Sequence, residues 1–221
     1  MRKLLKKSNC SAGFTLAETL IAVVILVLIS AAALPAAMNA YRNAVDAANA
    51  QVLLSTTVNA LRDELSTAWN VSVDGTTITY QSAATGDMSV ISLMAIAEDR
   101  TLTQLSGGST DQETTIALQE YSKDETQGWW DGDIEETTAL PRPLVSDAMR
   151  RTTRNSNNFM TVKYTGASSV KSADGKYIEY IKIDGLAVER DNKVLAKMPD
   201  AGLLIRVMGA ESAAATDDTG D

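Results

Sequence analysis

Twenty-one consecutive residues, Phe14 to Leu34, contain one charged side chain, Glu18. As a helix this run extends about 31 Å at 1.5 Å per residue, the span of a bilayer's hydrocarbon core. Arg2, Lys3, Lys6 and Lys7 precede it, with no acidic residue among the first thirteen positions. A Lys/Arg excess marks the flank that stays in the cytoplasm, so the rest of the chain is expected to face outward.

Two ordinary export signals compete for this segment. A secretory signal would be cut after the apolar run at small residues, and Ala31-Ala32-Ala33 offers such a site. A lipoprotein signal fails on order, because Cys10 precedes the apolar stretch. Against both stands a specific arrangement: Gly13 where the basic leader meets the apolar run, then Phe14, then a carboxylate at Glu18.

The segment Gly13-Phe14-Thr15-Leu16-Ala17-Glu18 resembles the type IV pilins and pseudopilins, whose leaders end in Gly and whose mature chains begin Phe-Thr-Leu-x-Glu. The resemblance covers about the first forty residues. It implies cleavage of Gly13-Phe14 by a prepilin peptidase, N-methylation of Phe14 and an assembly role for Glu18. It also implies other pilin subunits, an assembly ATPase and a membrane platform protein as partners.

Glu18 is notable on physical grounds as well. A carboxylate within a membrane segment costs a few kcal/mol and calls for a partner. The amine created at Phe14 is the best one available, and a neighbouring subunit's amine approaches more freely than the chain's own. The alternative is a Glu18 that snorkels to the interface.

The formal charge is −8; without the leader's four cations, 16 basic side chains face 28 acidic ones. Such an acidic outer domain is a poor general nucleic-acid binder. Cys10 is the only cysteine and would leave with the leader, so the outer domain has to be held by burial and hydrogen bonds. Histidine is absent, which excludes His-based triads and imidazole acid/base chemistry. The expectation is a protein that is not an enzyme and has no resident cofactor or metal.

Pro35 ends the purely apolar part and predicts either a helix kink or a break at the membrane surface. Continuation is the reading adopted, because residues 36–69 are alanine-rich and lack Gly and Pro. Apolar positions recur there at Tyr41, Val45, Ala48, Val52, Leu54, Val58, Leu61 and Leu65, the pattern of an amphipathic helix packed on its own domain. Arg42, Asp46, Asn49, Arg62, Asp63 and Glu64 supply the polar side.

Residues 70–210 read as a β-rich domain. Asn70 to Val73 and Thr76 to Tyr80 flank Asp74-Gly75, a two-residue hairpin signal. Met88 to Ala97 reads as a strand with a helical alternative open. Further strands are expected at Thr114 to Tyr121, Phe159 to Tyr164, Tyr177 to Ile183, Leu186 to Arg190, Lys193 to Lys197 and Leu203 to Met208. Turns fall at Ala173 to Lys176 and Arg190 to Lys193.

Between Ser122 and Asn158 lie Trp129-Trp130 and the acids Asp124, Glu125, Asp131, Asp133, Glu135 and Glu136. Calcium is a candidate ligand there, although the spacing is not that of an EF-hand and acidic loops are commonly just solvated. The paired Trp suit core packing or a subunit contact. Arg142, Arg150, Arg151 and Arg154 form a basic cluster, read either as a grip for DNA phosphates or an acidic neighbour, or as a solvated loop. Residues 211–221 are expected to be a disordered acidic tail.

The whole predicts an α+β subunit: a leader (1–13), a transmembrane and assembly helix (14–35), its amphipathic continuation (36–69) and an extracytoplasmic domain of mainly antiparallel sheet. The function expected from the resemblance is that of a minor pilin or pseudopilin in a filament. The alternatives are a DNA-uptake or adhesion pilin and a membrane-anchored domain that does not polymerise.

Overall fold

The computed structural model describes residues 15–97, 100–105, 113–121, 140–152, 159–173, 175 and 177–211. The fold is α+β: a long amino-terminal helix, α1 (Leu16–Ser66), followed by twelve described strands and one short helix. The chain divides into two compact units between Ala44 and Val45. In the first unit α1 runs through Pro35 without interruption, and every described side chain up to Ala44 is exposed. α1 is long and apolar enough to cross a membrane.

In the second unit, α1 buries Asp46, Ala50, Leu53, Thr57, Val58, Leu61 and Leu65. This face recurs every three or four residues, as helical packing requires, but it is not the stripe that hydrophobicity alone picks out. Tyr41 and Val52 are 71% and 54% exposed, Ala48 is exposed, and Val45 is only half-buried. The inward position expected for an apolar residue is taken by Asp46, which is fully buried in an ion pair with Arg190.

Every pairing between described strands is antiparallel, in three sheets. The largest contains β1 (Trp69–Asp74), β2 (Thr77–Gln81), β3 (Met88–Ile96), β4 (Leu102–Gln104), β5 (Thr114–Tyr121) and β6 (Arg142–Pro143), in the order β1-β2-β3-β5-β6 with β4 on β3. The Asp-Gly hairpin forms one residue later than its signal suggests. Asp74 pairs with Thr77, and Gly75 is the first central residue at φ +57°, the placement of glycine in a II′ turn. β3 is a strand throughout, paired with β2 on one side and β5 on the other.

After the short helix α2 (Asp147–Arg150), the remaining strands are β7 (Thr161–Lys163), β8 (Gly166–Lys171), β9 (Tyr177–Asp184), β10 (Ala187–Arg190), β11 (Lys193–Lys197) and β12 (Leu203–Glu211). They form the sheets β11-β10-β7 and β12-β9-β8. Asp191 and Asn192, at φ +50° and +58°, close the β10–β11 hairpin; Asx residues tolerate this left-handed region, as a I′ turn demands. β12 carries the fold through Glu211, one residue into the expected tail. β11 and β8 end their sheets, and both hairpins carry a bulge, beside Glu189 and beside Lys171.

One apolar core joins these parts of the second unit. Leu53, Leu61 and Leu65 of α1 share it with Ile78 and Tyr80 of β2, Ile91 of β3, Ile116 and Leu118 of β5, Ile181 and Ile183 of β9 and Ile205 of β12. Two polar links tie the helix to strands: Asp46 to Arg190 on β10, and Glu64, which accepts from the Tyr80 hydroxyl at 3.1 Å. Burial first, and the Glu64 charge second, push the Tyr80 phenol well above its ordinary range. Burial does the same to Tyr164, whose hydroxyl donates to the Thr76 carbonyl.

Candidate functional site

The described chain begins at the start of α1, and its first residues build a reciprocal cap. Thr15 N–H and Thr15 Oγ1 both donate to Glu18 Oε2, at 2.9 and 3.0 Å, while Glu18 N–H donates to Thr15 Oγ1 at 3.3 Å. This is a capping box: Ser/Thr at the cap and Glu three residues on satisfy backbone donors that the first helical turn leaves free. Thr15 was not among the expected site residues, although Thr15-x-x-Glu18 before an apolar run is its sequence signal. Gly13 and Phe14, the expected cleavage and methylation positions, lie outside the described residues. Pro35 lies inside α1.

The arginines expected as one basic cluster are separated by the fold. Arg142, on β6, is exposed and paired with Glu120 at 2.9 Å. Arg151 is exposed and forms an isolated bridge with Phe159; Arg154 lies outside the described residues. Arg150 has no exposed surface. Its Nε donates to the Met160 carbonyl at 3.0 Å, and its other nitrogens reach Asp147 at 2.7 Å and the Thr114 carbonyl at 3.5 Å. A guanidinium held by two carbonyls and a carboxylate is a structural clip and cannot grip a phosphate from solution.

Arg100, not anticipated from sequence, completes that clip. It pairs with Asp147 at 2.7 Å and Glu113 at 3.2 Å, and its guanidinium lies 3.8 Å from the centre of the Phe159 ring. Burial raises the Asp147 carboxyl, but bonds and charges from Arg100 and Arg150 outweigh it, and the net shift is downward. Arg150 is pulled below the usual arginine value by burial, against the opposing pull of Asp147.

Among the described residues no group of three or more Asp, Glu, Cys or His is placed to hold a metal. The acidic segment around Trp129-Trp130, the calcium candidate from Asp124 to Glu136, lies outside them. A surface groove of about 430 Å³ opens between Gln51, Leu54 and Val58 of α1 and Ala196, Lys197 and Met198. It has no carboxylate or histidine in its lining, so it offers no acid/base pair.

Among the described residues the chemistry is therefore concentrated at the amino terminus, where Glu18 sits on the apolar part of α1 that is exposed up to Ala44. Residues 8–34 match the family model described as the prokaryotic N-terminal methylation motif. The chain carries the type IV pilin and pseudopilin signature. That signature places Gly13, Phe14, Glu18 and the apolar run inside the matched residues. No curated protein and no solved structure matches the chain significantly, so the pilin-type assignment rests on the amino-terminal segment.

Proposed function

We infer that the protein is a structural subunit of a type IV pilus-like or type II secretion-like filament, in the role of a minor pilin or pseudopilin. The supporting observation is the methylation motif at residues 8–34 joined to the apolar part of α1, whose described side chains up to Ala44 are all exposed. In a single copy that surface requires lipid; in a filament, neighbouring subunits replace the lipid. Prepilin peptidase cuts Gly13-Phe14 and methylates Phe14. Glu18 then pairs with the Phe14 amine of a neighbouring subunit, which sets the axial register. The domain beyond α1 faces outward, and the assembly ATPase and platform protein act from the membrane side.

Intact-mass and amino-terminal analysis, with and without a coexpressed prepilin peptidase, tests this reading. The expected product is a peptidase-dependent chain that begins at methylated Phe14. A chain beginning after Ala33, or one left uncut, would return the protein to a secreted or simply anchored domain. The DNA-binding alternative loses its main support, because Arg150 is buried and Arg142 is already paired with Glu120.

A further inference from the structure

The largest sheet uses a local distortion to hold one tryptophan in water. Trp69 opens β1 opposite Gln81, and Ser72 lies opposite Thr79, so three residue steps on β1 face two on β2. The extra residue makes a β-bulge. Side chains directly opposite share a face, and a shift of one residue moves a side chain to the other face. Without the bulge Trp69 would share the parity of Val71, which is buried. With it, Trp69 joins Gln81 and Thr79 on the face turned away from the buried Ile78 and Tyr80, and is 52% exposed. Asn70, inside the bulge, has φ +46°, a sparsely populated backbone region for a residue other than glycine. Bulges and strain of this kind re-aim side chains at functional sites.

The neighbours of Trp69 offer hydrogen-bonding capacity without charge. Asn70 Nδ2 donates to Gln81 Oε1 at 3.1 Å, and Gln81 Nε2 donates to the Gly86 carbonyl at 2.8 Å. These two bonds fix the orientation of the Gln81 amide, whose oxygen keeps a second lone pair and whose nitrogen keeps a second N–H for a ligand. A donor and an acceptor held side by side suit two neighbouring hydroxyls of a sugar ring, and an indole face suits the ring's C–H surface. The register continues the row through Met88 on β3 to Tyr121 on β5. Three strand spacings make the row about 14 Å long, enough for more than one sugar ring. Trp69, Asn70, Gln81, Met88 and Tyr121 are all uncharged, and the chain's net charge of −8 disfavours an anionic polymer. An anionic lipid surface would call for lysine or arginine beside the aromatics, and the row has neither.

We propose that the row Trp69, Gln81, Met88 and Tyr121, with Asn70, is a binding face for a neutral oligosaccharide. Trp69 and Tyr121 stack on sugar rings, and the amides of Gln81 and Asn70 bond to the hydroxyls. Asn70 acts twice: its left-handed backbone aims Trp69 outward, and its side chain holds the Gln81 amide. The site goes beyond the filament reading and does not need it, because all five residues belong to the second unit.

Maltoheptaose, cellohexaose and chitohexaose, each titrated into the full chain in a detergent without a sugar headgroup and followed by saturation-transfer NMR and indole fluorescence, test it. At least one should bind with a dissociation constant of about 1 mM or tighter. Trp69→Ala should weaken that binding about tenfold or more, as loss of a central aromatic anchor does, and keep the melting temperature of an exposed substitution. Trp69→Phe, which retains an aromatic face, should recover part of the affinity. Asn70→Gly accepts the same φ but loses the bond to Gln81, so it should hold the melting temperature while weakening binding severalfold. The proposal is overturned if none of the three sugars binds, if binding survives Trp69→Ala unchanged, or if Trp69 responds to phosphatidylglycerol vesicles and to no sugar. Processing at Gly13-Phe14 is independent of all these outcomes, which separates this test from that of the filament reading.

Discussion

Replacing Arg190 with Met would leave the Asp46 carboxylate in a fully buried position without its guanidinium. Removing one partner of a buried pair costs about 3–5 kcal/mol, because the remaining charge stays desolvated. In a domain of 150–250 residues each kcal/mol moves the melting temperature by about 2–4 °C. Arg190→Met should therefore melt about 6–20 °C below the unaltered protein. The double variant Asp46→Leu/Arg190→Met removes both charges and keeps comparable volume, and it should recover most of that loss or exceed the starting value. The assay is thermal unfolding followed by circular dichroism on the full chain in detergent. A single variant melting within about 2 °C of the original, a shift expected of a minor surface change, would refute the view that Asp46 and Arg190 depend on each other. A double variant no better than the single would do the same.

Glu18→Ala should be cut by prepilin peptidase yet fail to assemble. Glu18→Gln separates two roles of the same side chain, because Gln preserves the capping box with Thr15 but not the charge; it too should fail to assemble, and normal assembly would make capping the residue's whole contribution. Tyr80 is protonated in the fold at pH values where a free phenol, of pKa about 10, ionises. Its contribution is thus complete below about pH 10 and lost as pH rises further, so alkaline denaturation should begin there and be blunted in Tyr80→Phe. At Gly202, with φ +77°, an added Cβ would lie 2.6 Å from Asp184 Oδ1 and 2.9 Å from the Ile183 carbonyl. Gly202→Ala should cost about 1–3 kcal/mol in denaturant unfolding, and an unchanged midpoint would contradict that geometry.

Much of the fold was legible because local chemistry and the final structure agree. Asp74-Gly75 and Asp191-Asn192 each announce a tight turn, and alternation marks β9, whose Ile181 and Ile183 lie on the core, whereas β5 buries four successive residues, Thr115 to Leu118. β8 was missed because Gly166–Lys171 is almost entirely polar or small and buries no side chain fully, so it carries no hydrophobic signature and exists through pairing with β9. β4 and β6 are too short to show a period. The packed face of α1 was misread for a deeper reason. Apolar residues were assigned to the nearest core, whereas the chain uses a buried charge on that face and leaves an apolar stripe outside. The arginine cluster failed similarly, since proximity in sequence cannot tell that Arg150 turns inward to the carbonyls of Met160 and Thr114 while Arg142 pairs outward with Glu120.

Two of the sheet-ending strands, β11 and β8, bear on how this molecule avoids the wrong kind of association. An open strand edge invites another chain to add to the sheet, and proteins deter this with bulges and lysines. β11 begins and ends with Lys193 and Lys197 beside a bulged pairing, and β8 ends on Lys171 at its own bulge. Another copy meeting these two edges thus finds lysines and a distorted register that discourage sheet growth. Cross-β stacking is thereby disfavoured at these two edges.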